Sequence, residues 1–200
     1  MASVDAQHTA GPLPDLYGHG LRLRRWDAGS DADVEAWLRG TTDPEFLRWN
    51  TPLNAITDAG SARATLRAKA ARDGDGTSAS FRITDAESGT TLGHIGVNEI
   101  TRVFHRAIVG YWVLPEARGQ GVATRALTLA ARWAFGELGL HRLELDHALG
   151  HAASCHVAER CGFRYEGTLR GAMWEAGRHD TYRDAHLHAR LATDPEPGSV

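Results

Sequence analysis

Between residues 21 and 192 the apolar positions switch between two periods. Leu21, Leu23 and Trp26 alternate with arginines, the two-residue period of an edge or half-exposed strand. The spacing then changes to three and four at Val34, Trp37 and Leu38, which predicts a helix from a Ser30 or Asp31 cap to about residue 39. Asp43 followed by Pro44 predicts entry into a short helix over 43–49. Thr57 or Asp58 opens a third helix to about residue 72, and Asp73, Gly74, Asp75 and Gly76 signal a turn. Strands are predicted at about 78–85, 91–100 and 105–114. A longer helix begins near Val122, with Ala126, Leu127, Ala130, Ala131, Trp133, Ala134 and Leu138 on its buried face. A strand over 142–147, a helix over 152–161 stopped by Gly162, and strands over 163–170 and 178–191 complete the pattern. The order β-α-α-α-β-β-β-α-β-α-β-β predicts an α/β class with a mixed sheet and helices on its faces. Residues 1–18 read as a flexible leader, 19–192 as one domain and 193–200 as a flexible tail.

Composition narrows the functional classes. A chain of 200 residues, 42% hydrophobic, suffices for one domain with a sizeable core. A net charge of -3 gives no basic excess for nucleic acid, and no polybasic run suits a membrane surface. No apolar run has the length of a membrane span, and no secretory signal is evident at the N-terminus. Cys155 and Cys161 fall six apart within one predicted helix, on different faces, which argues against a disulfide. A cytoplasmic protein is the simplest expectation.

The most informative stretch is 110–127. An apolar strand ends at Pro115, which cannot continue a ladder, and Arg118, Gly119, Gln120, Gly121, Val122 and Ala123 lead directly into the long helix. A strand, a glycine turn and a helix N-terminus present unpaired N–H groups to an anion such as a pyrophosphate. Gly119 and Gly121 let a phosphate approach the main chain, and Arg118 adds a permanent cation. No Gly-Lys-Ser/Thr closes the turn, so it is not a Walker loop. Thr124 stands where a dinucleotide fingerprint would carry its third glycine or alanine. Arg118, Gly121 and Ala123 instead match the R/Q-x-x-G-x-G/A signature, and the chain resembles the GNAT acetyltransferase superfamily. Gly110, Tyr111 and Trp112, then Trp133 to Phe135, Gly139 to Arg142, Ala153 with Ser154, and Val157 to Phe163 resemble its RimJ/RimL-type branch. The resemblance covers residues 20 to about 192.

That resemblance implies an acetyl-CoA-dependent N-acetyltransferase of the GNAT fold, with a splayed parallel pair formed by strands at about 105–114 and 142–147. It implies CoA binding by Val113, Arg118, Gly119, Gln120, Gly121, Val122, Ala123, Thr124, His151 and Ser154. The Val113 main chain would pair with the pantetheine amides, and Ser154 would act as general acid toward the CoA thiolate. The residue types alone also allow Ser154 to be a first-turn capping serine. The family's frequent tyrosine acid is replaced by Ala158. Glutamates carried by relatives are replaced by Ile108 and, at or near the second position, by Met173. Glu99 and His151 are the candidate bases, with His147 and Glu175 as further titratable groups. Trp49 and Glu99 are expected at the acceptor, Trp49 because it falls in the segment that roofs the acceptor groove in this family. His151 stands where the family usually has asparagine. A base acting through water, or an acceptor arriving neutral, would remove the need for a dedicated side chain.

Eleven histidines raise the question of a metal. His147 and His151 straddle a strand-to-helix turn, and no Cys or carboxylate completes a set by spacing. His186 and His188 share one side of a strand. The expectation is no metal, and no cysteine nucleophile, since spacing pairs neither cysteine with a histidine and carboxylate. The expected partner is a small-molecule amine or a protein N-terminus, with neither nucleic acid nor membrane, and homodimers are common in the family. The alternatives are a larger acyl-CoA donor, a non-catalytic CoA- or partner-binding module and, third, a metal hydrolase.

Overall fold

A computed structural model describes residues 13–198. Eight strands, β1 (Leu16–Gly18), β2 (Leu21–Arg25), β3 (Ala79–Asp85), β4 (Thr91–Thr101), β5 (Arg106–Val113), β6 (Arg142–Ala148), β7 (Arg164–Trp174) and β8 (Tyr182–Leu191), form one sheet in the order β1-β2-β3-β4-β5-β6-β8-β7. All neighbours are antiparallel except β5 and β6. Five helices connect them: α1 (Asp31–Thr41), α2 (Pro44–Trp49), α3 (Ala59–Gly74), α4 (Val122–Gly136) and α5 (Ala152–Arg160).

Local chemistry fixes the helix starts. Ser30, Asp43 and Asp58 each accept from a first-turn N–H, at Asp33, Phe46 and Ser61 respectively. Pro44 occupies the first turn of α2, where its missing N–H costs nothing. Asp33, in the first turn of α1, is buried. Its carboxylate accepts from the Asp27 N–H at 2.9 Å and from Arg82 Nη1 at 2.6 Å, so the helix is docked on the sheet by a satisfied charge.

The sheet has a core on each face. Alternate residues of β2 to β6, among them Leu23, Phe81, Ile95, Val109 and Leu143, pack with the apolar stripe of α4 and with Ala158 of α5. On the other face Trp26, Trp37 and Trp112 meet α1 and α3 residues such as Val34, Ala62 and Leu66. Here Gly40 of α1 lies against the Trp112 indole.

Several expected boundaries are corrected. Leu16–Gly18, expected in a flexible leader, is a strand that pairs with β2, and Leu16 is buried; β1, not β2, is therefore the sheet edge. Residues 1–12 of that leader lie outside the described residues, as do 199–200. The start of the tail is ordered by a turn in which the Leu191 N–H donates to Asp194 and the Asp194 N–H to Leu191 O, at 2.9 and 3.0 Å. Arg190, nearly fully buried, pairs with Glu196 at 3.4 Å. β7 runs further than expected and β8 starts later. The β7–β8 ladder shifts register twice, between Tyr165 and Gly167 and between Leu169 and Met173.

A methyl group at Gly40 would stand 2.3–2.7 Å from Trp112 ring carbons. Gly40→Ala should therefore destabilise the fold by about 1–3 kcal/mol, despite the better helix propensity of alanine. Denaturant midpoints of the two proteins measure this.

Candidate active site

The parallel ladder between β5 and β6 closes only at Arg106, Ala107 and Ile108 opposite Arg142, Leu143 and Glu144, although the strands continue to Val113 and Ala148. Two openings lie beyond the last pair. The larger, about 420 Å³, runs from Tyr111 and Val113 over the start of α4 to α5, under a roof from α2. The smaller, about 70 Å³, lies between residues 109–111 of β5 and 145–148 of β6. Trp49, Asn50, Tyr111, His151 and Ser154 line both, so they form the wall where the openings meet.

At the loop before α4, Gly119 and Gly121 have φ of 72° and 69°, left-handed values at which a side chain is strained. A Cβ at either would meet no atom within 4 Å. The requirement there is conformational and leaves the main chain open to approach. Gly121 is the N-cap, no side chain caps the helix, and the first intrahelical bond is donated by the Arg125 N–H to Gly121 O. The N–H groups of Val122, Ala123 and Thr124 come before it, at the positive end of the helix dipole. These residues line the large cleft with Val113, Arg118, Gly119, Gly121, His151 and Ser154. Gln120 does not line it; its side chain turns back and donates to Glu116 O at 2.9 Å. Arg118 donates from Nε to Val113 O at 3.1 Å and pairs through Nη2 with Asp43, the cap of α2. Arg160, not singled out from the sequence, adds a second cation to the cleft wall.

Ser154 is buried in the first turn of α5, and the Tyr111 hydroxyl donates to its Oγ at 3.3 Å. Tyr111 thus spans the gap from β5 to α5. The Gly-Tyr-Trp motif pointed to this residue without revealing its partner. Burial raises the Tyr111 phenol to about 12, so it remains a donor at neutral pH. The His151 ring stacks on Trp49 with centroids 4.5 Å apart. Burial, aided by His147, lowers the imidazole to about 4 and keeps it neutral. The Trp49 indole N–H donates to Glu45 Oε1 at 2.7 Å, and Arg183 donates to the carbonyls of Arg48 and Trp49 at 3.0 and 2.6 Å.

Two other expected site residues fall elsewhere. Glu99 is exposed, has φ of 52° and lines neither opening. Alternation from Ile95 and Val97 would aim it inward, but the β-bulge after Asn98 gives that position to Ile100. Glu175 lies in the turn before β8, 4.0 Å from Arg183. Met173 lines the small opening with an apolar side chain.

The cysteines are both free. Cys161 donates to Thr124 O at 3.4 Å. Spacing paired Cys155 with no histidine and carboxylate; in the structure it has histidine neighbours, its Sγ lying 3.4 Å from His147 Nε2, 3.4 Å from His186 Nδ1 and 3.7 Å from His188 Nε2, and no carboxylate is in the cluster. Spacing hid this because two strands, β6 and β8, and helix α5 converge there. Burial, with Glu159 nearby, raises the thiol, which works against a nucleophilic thiolate.

A splayed parallel pair beside an uncapped, glycine-preceded helix defines an acyl-CoA N-acyltransferase type of fold. The chain belongs to the acetyltransferase (GNAT) domain family, whose model matches residues 21–164. It is similar to the putative ribosomal N-acetyltransferase YdaF of Bacillus subtilis (strain 168), 35% identical over 91 residues, 46% of this chain and 50% of that protein. It is also similar to the spermidine N(1)-acetyltransferase of Escherichia coli (strain K12), 32% identical over 117 residues, 56% of this chain and 61% of that protein. The matched segments thus span only about half to three-fifths of these relatives. Among solved structures, RimL, a ribosomal L7/L12 alpha-N-protein acetyltransferase in complex with coenzyme A, superposes with a TM-score of 0.80 at 19% identity. That match covers 89% of this chain and 98% of RimL. Mycobacterium smegmatis RimJ gives 0.77 at 24%, covering 88% and 85%. Among the described residues no helix is long and apolar enough to cross a membrane.

The tyrosinate absorbance removed by Tyr111→Phe should be a step near pH 12 and not near the ordinary value of 10. Alkaline difference titration, with far-UV dichroism as a check on folding, measures it.

Proposed function

We propose that the protein is an acetyl-CoA-dependent N-acetyltransferase that moves an acetyl group to a primary amine by direct transfer in a ternary complex. One observation carries the reading: the uncapped N-terminus of α4, entered through Gly119 and Gly121, opens on the same cleft as Ser154.

The residues present fit the cosubstrate. Val122, Ala123 and Thr124 would donate main-chain N–H groups to the pyrophosphate, with Arg118 and Arg160 as nearby cations. Val113, beyond the last β5–β6 pair, would offer its main chain to the pantetheine amides, its carbonyl first released by Arg118. Acetyl-CoA would supply the acetyl group as a thioester. Ser154 Oγ accepts from Tyr111, which leaves its own hydrogen free to donate toward a departing thiolate. Tyr111 is the positioning residue in that pair. Neutral His151, fixed by its stack on Trp49, faces the acceptor side as a hydrogen-bonding group. Glu99 has no role in this scheme, and the amine would lose its proton to water or arrive neutral.

Relatives named for ribosomal proteins and for spermidine support a primary amine on a protein N-terminus or a small molecule as acceptor. Relatives named for ribosomal proteins support a cytoplasmic setting. Residues from Leu16 onward would act as one catalytic domain, since every strand joins the same sheet.

A panel of amines and N-terminal peptides with acetyl-CoA, read by free thiol, tests the activity; CoA binding without thiol release from any amine would leave a binding module instead. Ser154→Ala should lower kcat on the order of 100-fold with acetyl-CoA affinity unchanged. Arg118→Ala should weaken acetyl-CoA binding roughly tenfold by calorimetry, because a charged donor to phosphate is lost.

A further inference from the structure

We propose that β6, β8 and α5 form a tetrahedral site for a divalent metal ion of the zinc class, ligated by His147, Cys155, His186 and His188. The site takes no part in the transfer step and does not depend on that reading.

Strand register assembles it. His147 pairs directly with His186 across the β6–β8 ladder, so both side chains stand on one face. His188, two residues along β8, stands on that face too. The first half of α5 covers it and lowers Cys155 onto the three rings. One ligand atom from each residue lies within 4.8 Å of all the others. A tetrahedral zinc ion with its usual bond lengths needs sulfur–nitrogen separations of about 3.6 Å. The three observed are 3.4, 3.4 and 3.7 Å.

The donor set selects the ion. One thiolate and three imidazoles suit zinc and its neighbours, whereas calcium and magnesium require oxygen ligands, and none is in the cluster. His147 Nδ1 lies 3.1 Å from the Ala148 carbonyl, and donating there leaves the Nε2 lone pair toward the centre. The His188 Nδ1 is buried without a hydrogen-bond partner. The Tyr165 ring walls the cluster at 5.0 Å from His186 and 5.6 Å from His188.

Without an ion the cluster is poorly matched. One thiol hydrogen cannot satisfy three ring nitrogens, so His186 and His188 would have to turn N–H groups toward the sulfur. On binding, the ion would displace the Cys155 proton to solvent and complete four bonds. Four protein ligands leave no open position, the mark of a structural site. Cys155 follows Ser154 in α5 and His147 lines the small opening, so the ion would pin the turn that carries Ser154 to the sheet.

The test uses the full chain expressed without a polyhistidine tag, since eleven native histidines already offer nonspecific sites. Elemental analysis after gel filtration should find one zinc per chain, and chelation should lower the melting temperature. Cobalt(II) loaded in place of zinc should give intense tetrahedral visible bands and a thiolate-to-metal charge-transfer band. Cys155→Ser should remove the charge-transfer band, and Cys155→Ser and His186→Asn should each weaken zinc binding by at least on the order of 100-fold. Should either variant misfold, the wild-type cobalt spectrum and the other variant decide. A chain that takes up neither metal, or binding that both variants leave unchanged, would overturn the site and leave a thiol–imidazole hydrogen-bonded cluster.

Discussion

Two parallel strands that pair for three residues and then part impose the main constraint on this molecule. Backbone groups along the diverging edges lose their ladder partners and must find others. The Val113 carbonyl takes the Arg118 side chain, and a side-chain bond from Tyr111 to Ser154 bridges the gap itself. Arg118 and Ser154 come from the loop and helix that border the opening, so the opening and its lining are one construction. The two cores hold this geometry from opposite faces, α4 beneath and the tryptophan cluster above.

Much of the fold was legible because its signals are local. Ser30, Asp43 and Asp58 are capping residues at the heads of apolar stripes, and each caps in the structure. Gly119 and Gly121 were read as leaving the main chain open to a phosphate; the structure adds a second reason for glycine, their left-handed backbone. β1 was missed because three residues carry too little alternation to register as a strand. Glu99 was misplaced because strict alternation carries no warning of a bulge. The Tyr111–Ser154 bond joins residues 43 apart in sequence, and no periodicity encodes it.

The histidines show the same limit from another side. Along the chain His147, Cys155, His186 and His188 form no recognisable spacing. Their meeting depends on the β6–β8 register, in which a one-residue slip would turn His186 and His188 to the opposite face. Ligand sets assembled across strands are therefore visible only once pairing is known.

Helix α2 illustrates a different kind of order. It has six residues, too few to persist on helix propensity, and none of its side chains is fully buried. It is fastened at its first turn by Arg118 to Asp43 and at its last by Arg183 to two carbonyls. Two guanidinium groups rooted elsewhere thus hold its ends, while Phe46 packs its middle against the tryptophan core. Of all the walls of the cleft, the roof over Trp49 is the one whose helix buries no side chain fully and is held at both ends by arginines from other elements.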